Sequence, residues 1–169
     1  MAPDRSAAPR VTADRISLRP ESAEDDDFLR ALYASRRAHE MAVAGWTAAQ
    51  QDVFLRSQFD LQRRHYRAHY PGATFDIILL DAVPVGRIYV HRAHDEIRLI
   101  DVALVPDARG RGIGTRLVEW LLAAAIERNA TVTLNVEPYN PARRLYERSG
   151  FRVVEEDPTN LFMKWRRPG

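Results

Sequence analysis

The stretch Ile97–Leu122, IRLIDVALVPDARGRGIGTRLVEWLL, constrains the fold more than any other part of this chain. Ile97, Leu99, Ile100 and Val102 to Val105 make a nearly continuous apolar run, which reads as a buried strand. Pro106-Asp107 turns the chain. A basic loop with Gly110, Gly112 and Gly114 follows, and Ile113, Leu117, Val118, Leu121, Leu122 and Ala125 then recur at helical spacing. Glycine has no Cβ, so backbone N–H groups in such a loop can crowd towards an anion. The helix start beyond it adds a partial positive charge. Strand, basic glycine loop and helix are together a phosphate-binding arrangement on physical grounds alone.

Three loop chemistries compete for this arrangement. A P-loop needs Lys and then Ser or Thr after its last glycine; Gly114 is followed directly by Thr115. A dinucleotide fingerprint needs glycine at its sixth position; counting from Gly110, that position is Thr115. The third pattern, Arg/Gln-x-x-Gly-x-Gly/Ala, is met by Arg109, Gly112 and Gly114. About thirty residues on, Asn140 to Phe151 reads NPARRLYERSGF, with Asn140 a good N-cap, Pro141 suited to the first helical position and Gly150 placed to stop the helix. The two motifs together, in this order, resemble the GCN5-related N-acetyltransferase (GNAT) superfamily. The resemblance is strong from Val85 to Lys164 and loose before that.

Elsewhere the sequence is ordinary for a globular domain. It has 169 residues, 46% hydrophobic and 28% charged, enough for one compact core. No apolar run approaches the roughly 20 residues that span a membrane, and the N-terminus lacks the apolar core of a signal peptide. There is no cysteine, hence no disulfide framework and no thiolate nucleophile, which fits a cytoplasmic setting. Of 25 basic residues all but Lys164 are arginine, yet the net charge is only +2. No dense basic run with interleaved aromatics points to nucleic acid, so no nucleic acid and no membrane partner is expected. His65 and His69 stand four apart on a helix without the intervening glutamate of a metalloprotease, and no metal is expected.

Residues 1–14 read as a flexible tail and 15–169 as one domain. Ile16–Arg19 is a first strand. Ser22 caps a helix to about His39, with Phe28, Leu29, Leu32 and Tyr33 on its apolar stripe. Met41–Thr47 reads as a loop with Gly45 and Trp46 at its tip, and Thr47 caps a second helix to about Tyr70. Strands follow at Phe75–Leu80 and Val85–His91, joined through Asp81–Pro84. After the organising strand and helix come a strand at Thr131–Val136, the Asn140 helix, and strands at Phe151–Glu155 and Leu161–Trp165. Strands alternating with helices, with hairpins at both ends, mean an α/β fold with a mixed sheet. The GNAT resemblance implies a mostly antiparallel sheet flanked by helices, with the Glu96 and Thr131 strands splayed apart around the pantetheine arm of a coenzyme. A homodimer through the last strand pair is compatible with this pattern and not demanded by it.

The same resemblance implies an activity: acetyl transfer from acetyl-CoA, as co-substrate, to a primary amine of a small molecule or peptide. Acyl-chain preference stays open, and a non-catalytic acyl-CoA sensor or protein-interaction module on the same fold is the alternative. Arg109, Gly110, Arg111, Gly112, Ile113 and Gly114 would hold the pyrophosphate. Backbone groups of Val102, Ala103 and Leu104 would pair with the pantetheine, with the Leu104 N–H on the thioester carbonyl. Asn140 would bond the pantetheine arm, and Arg143 or Arg144 the 3′-phosphate. Tyr146 aligns with the family's general acid. The glutamate that several relatives carry on the fifth strand is here Asn135, which cannot take a proton. Glu137, two residues on, and Asp101, a carboxylate inside an apolar run, are the candidate bases, with a water-relayed or absent base as the alternative. Tyr33, Arg37 and Trp46 are the candidate acceptor-binding residues.

Overall fold

The computed structural model describes residues 12–169. Of the tail expected over 1–14, residues 1–11 lie outside the described residues, and Ala13–Arg15 form one 3₁₀ turn. Seven strands follow: β1 Ile16–Pro20, β2 Thr74–Leu80, β3 Val83–Arg92, β4 Glu96–Leu104, β5 Thr131–Val136, β6 Arg152–Asp157 and β7 Asn160–Trp165. The four helices are α1 Asp26–Val43, α2 Ala48–His69, α3 Ile113–Arg128 and α4 Ala142–Arg148. One sheet runs in the order β1-β2-β3-β4-β5-β7-β6. Every neighbouring pair is antiparallel except β4 with β5, which are parallel. No helix among the described residues is long and apolar enough to cross a membrane.

Alternation along the strands divides the molecule into two layers. Ile88, Val90, Ile97, Leu99, Val132, Leu134, Leu161 and Met163 face Ile113, Leu117, Val118 and Leu121 of α3 in the main core. On the opposite face, Leu29 and Tyr33 of α1 and Phe59 of α2 close over Ile77 of β2. The helices begin where the sequence predicts. Thr47 and Gln50 make a reciprocal capping box at the start of α2, and Ser22 with Asp25 makes one before α1.

Two boundaries differ from the sequence reading. Helix α1 continues past His39 to Val43, because Met41 is an inward position and is buried; the loop shrinks to the few residues around Gly45 and Trp46. The β2–β3 connection is a two-residue turn at Asp81-Ala82, and Val83 and Pro84 already belong to β3. Both turn residues have positive φ, 50° and 67°. That geometry matches the twist of the flanking strands, but it usually announces itself with Asn or Gly, and this sequence has neither there. An L-residue in the left-handed region costs about 1–2 kcal/mol. Ala82→Gly is therefore expected to stabilise the fold by about 1 kcal/mol, read as a raised urea midpoint with an unchanged slope. No gain would mean that the alanine is relaxed in this turn.

Candidate active site

The candidate site lies where the β4–β5 pairing ends. The two strands pair only from Glu96–Leu99 to Thr131–Leu134. Beyond that they part, while β4 stays paired with β3 as far as Leu104. The register shift between Tyr89 and Val90 leaves Ile100 as an extra residue, a β-bulge. Before the bulge, Ile97 and Leu99 face α3. After it, Val102 and Leu104 pack on that side, and Asp101 turns to the α1–α2 side, where Arg36 and Arg87 meet it.

Which backbone groups look into the gap follows from the ladder. The Val105 N–H donates to the Val85 carbonyl at 2.8 Å. In an antiparallel pair, bonded and non-bonded positions alternate. Gly86–Leu104 and Ile88–Val102 are then non-bonded pairs, and the N–H and C=O groups of Val102 and Leu104 point away from β3, into the gap. Ala103 differs, because its backbone is spent on Arg87 of β3. The Leu104 carbonyl accepts from Arg109 Nε at 3.1 Å, which leaves its N–H facing the opening. A Cβ on Gly86 would collide with the Ala103 carbonyl oxygen, so a side chain there would push this part of β4 outwards.

The glycine loop lies at the same end of the sheet. Gly110 and Gly112 have φ of 71° and 87°, a conformation that a side chain would strain. Gly112 caps α3 without any side-chain hydrogen bond. The first bond of the helix runs from Arg116 N–H to the Gly112 carbonyl, so the N–H groups of Ile113, Gly114 and Thr115 have no partner within the helix. The buried Ile113 side chain anchors this turn in the core. A Cβ on Gly114 would stand 3.2 Å from Leu145 Cδ2, which is how closely α4 packs on α3. These features fit a pyrophosphate held by backbone donors.

Helix α4 brings in Tyr146, buried and set edge-on to Phe151 with ring centroids 5.7 Å apart. Burial pushes its hydroxyl up to about 12; the Asp101 charge adds to this, the Arg36 charge opposes it, and no hydrogen bond takes part. Asn140 Oδ1 accepts from the Ala142 N–H at 2.9 Å, capping α4, and its amide NH2 has no partner among the described residues. Arg143 pairs with Glu147 along the same helix.

Asp101 is doubly engaged. Arg87 Nε donates to it at 2.7 Å and Arg36 Nη1 at 3.1 Å, while Arg87 Nη2 also donates to Gln62 of α2. Asp101 and Arg87 side chains are 8% and 3% exposed. Burial opposes ionisation of Asp101, but the two guanidiniums outweigh it and hold the carboxyl below its ordinary value. Glu137 lies just past the end of β5, exposed, with its carbonyl accepting from the Asn140 N–H. Asn135 is exposed on the face opposite the main core.

Tyr33, Arg37 and Trp46 form one cluster at the α1–α2 tip. Arg37 donates to the Tyr33 hydroxyl and to Glu40 and lies over the Tyr33 and Phe54 rings. Trp46 meets Phe54 edge-on at 5.0 Å and stays 41% exposed. The sequence reading missed Arg36, Gln62 and Arg87. Its one available signal was Arg87 itself, a charge inside the apolar run of β3, opposite another in β4. His65 and His69 stack, with ring centroids 5.4 Å apart. Among the described residues no three metal-ligating side chains come together.

Breaking the buried pair gives a pH-dependent prediction. Asp101→Asn leaves Arg87 buried without its carboxylate and should cost roughly 3–5 kcal/mol. Because the folded carboxyl lies below its unfolded value, that stabilisation is complete above about pH 4 and is lost as pH falls through the folded value. Denaturation of both proteins against pH should show the gap closing only in acid; a gap independent of pH would mean that the ion pair is not its source.

Comparison with known proteins agrees with this geometry. The acetyltransferase (GNAT) family matches residues 24–151. The PaiA N-acetyltransferase of Thermoplasma acidophilum, solved in complex with coenzyme A, superposes with a TM-score of 0.65 at 18% identity, over 89% of this chain and 98% of that one. An acetyltransferase of Thermus thermophilus gives 0.63 at 23% identity, over 89% and 96%. At such identities the likeness is one of fold. A 5-NmdU N-acetyltransferase of Pseudomonas phage PaMx11 is 35% identical over 75 residues, 41% of this chain and 52% of that protein, so the chain spans about half the length of that relative. With the family matched over most of its length, this chain belongs to the acetyltransferase (GNAT) family.

Proposed function

We propose that the chain is an acetyl-CoA-dependent N-acetyltransferase that acetylates a primary amine of a small molecule or peptide by direct attack on the thioester. The observation that carries this reading is the parting of β4 from β5, with the Leu104 N–H aimed into the gap, unspent N–H groups of α3 at one end and Tyr146 beside it. The coenzyme A complex of a fold neighbour and the name of the phage relative support the same donor and reaction class.

The co-substrate supplies an activated acetyl group. The N–H groups of Ile113, Gly114 and Thr115 hold its pyrophosphate, aided by the loop arginines Arg109 and Arg111. Val102 and Leu104 pair with the pantetheine as a neighbouring strand would, and the Leu104 N–H polarises the thioester carbonyl. The Asn140 amide steadies the pantetheine, and Arg143 reaches for the 3′-phosphate. Tyr146 gives its proton to the departing sulfur. With its hydroxyl raised to about 12, it stays protonated across the working range. Asp101 acts as a positioning residue that holds Arg36 and Arg87, since a carboxylate kept ionised by two guanidiniums is a weak base. Glu137, in the open at the end of β5, takes the amine proton directly or through water. Tyr33, Arg37 and Trp46 shape the acceptor's entrance.

The test is amine-dependent release of free thiol from acetyl-CoA. Tyr146→Phe should lower kcat about a hundredfold with little change in cofactor affinity, and the wild-type profile should show no alkaline loss below roughly pH 11. Glu137→Gln should move the acid limb, and Asp101→Asn should not. Unchanged turnover in Tyr146→Phe would remove Tyr146 from the mechanism. Tight cofactor binding with no turnover on any amine would mark an acyl-CoA sensor.

A further inference from the structure

The registers assemble a basic row that no stretch of the sequence contains. Arg98 of β4 pairs with Thr133 of β5, Thr133 with Lys164 of β7, and Lys164 with Arg152 of β6. Paired residues share a face. Their neighbours Ile97, Val132, Leu134, Met163 and Trp165 all point into the main core, so the row lies on the other face. Arg98 confirms the side by lying over the Phe162 ring, 5.6 Å from its centroid. Strand β6 is exposed throughout, Arg98 and Lys164 are half-buried, and none of the three cations is in an ion pair among the described residues. Beneath them the Thr133 hydroxyl is buried without a partner.

One row nearer the opening stand Asn135 and Phe162. Two residues along a strand are roughly 7 Å, so Phe162 stands about that far along β7 from Lys164 and Asn135 about that far along β5 from Thr133, next to the point where β4 and β5 part, with Arg98 already over the Phe162 ring. Glu155 flanks Phe162 on β6, which confines an anion to the Arg98 row.

From this placement we infer that the acceptor is of nucleotide type. Its phosphate rests on Arg98, Lys164 and Arg152, and its flat base lies against Phe162, with the amine carried towards the gap. Guanidinium and ammonium groups suit phosphate, and ring stacking accepts any base. This departs from the expectation of no nucleic-acid partner, which rested on the absence of a basic run in the sequence. The inference depends on the acetyltransferase reading for the place of the amine. The phosphate itself comes from a free nucleotide or from a strand.

The experiment uses the full chain saturated with coenzyme A, so that the cofactor's own phosphate site is filled. Binding of thymidine monophosphate and of labelled oligothymidylates of increasing length is followed by calorimetry and fluorescence anisotropy. The expected result is binding that weakens with salt, with a log–log slope of about −0.7 for each strand phosphate held. Arg98→Ala/Lys164→Ala/Arg152→Ala should raise Kd tenfold or more while coenzyme A affinity and thermal midpoint stay unchanged. Phe162→Leu should weaken binding without changing the slope. Equal affinity for the monophosphate and the strands assigns a free nucleotide; affinity rising with length assigns a strand. No salt-dependent binding, binding untouched by the triple variant, or equal binding of a polyglutamate peptide overturns the inference. Failure of coenzyme A itself to bind would instead bring down the acetyltransferase reading.

Discussion

A strand inside a sheet cannot leave its backbone unpaired without cost, and from Ile100 onwards β4 does so on the side facing β5. Buried N–H and C=O groups are almost always satisfied, so a sheet that parts in its middle makes a demand on whatever fills the gap. Here the demand is specific. Val102 and Leu104 offer alternate donors and acceptors, one carbonyl is already taken by Arg109, and the α3 N-terminus adds uncapped donors at the end of the opening. An extended chain of amides ending in phosphates answers all of this together. The proposed cofactor site is thus a sheet edge left open in the interior, with β3 on one side and the α3 core beneath it.

The bulge at Ile100 joins this edge to the other face of the molecule. Without it, Asp101 would share the α3 side with Ile97 and Leu99, and a carboxylate there would have no partner. With it, Asp101 meets Arg87 from β3 and Arg36 from α1, and Gln62 of α2 takes a further guanidinium hydrogen. Two helices are thereby fastened to the strand that carries the Leu104 N–H. Buried ion pairs contribute little net stability compared with apolar packing. Their use here is directional, because hydrogen-bonded forks fix where α1 and α2 sit over β4.

The elements of the candidate cofactor site were legible because they are local. The strand, glycine loop and helix between Ile97 and Arg128, and the capped helix carrying Tyr146, are contiguous stretches whose spacing speaks for itself. The α1 end and the β2–β3 turn were less so. Met41 looks like loop until its burial is known, and Asp81-Ala82 takes a turn that its residues do not advertise. The buried Asp101 network and the basic row were not legible, since they are made by register. Arg87 meets Asp101 only once β3 and β4 are aligned with their bulge, and Arg98, Lys164 and Arg152 become neighbours only across three pairings. Asn135 stands on the same face as that row: the sequence could register the absence of a glutamate there and not what surrounds it.

That surrounding charge bears on the missing base. At the opening, one carboxylate, Asp101, is met by two guanidiniums, and both Asp101 and Arg36 are close enough to bias the Tyr146 hydroxyl in opposite directions. An amine entering beside Arg36 would meet a local excess of positive charge. Like charge disfavours the protonated form of an amine, so in the proposed mechanism part of the deprotonation would fall to the field of these arginines. On that proposal an exposed carboxylate such as Glu137 would have only to carry the proton to solvent, a lighter task than extracting it from a fully basic ammonium. In the proposed mechanism the arginines around Asp101 would take over part of what a glutamate in place of Asn135 would have served.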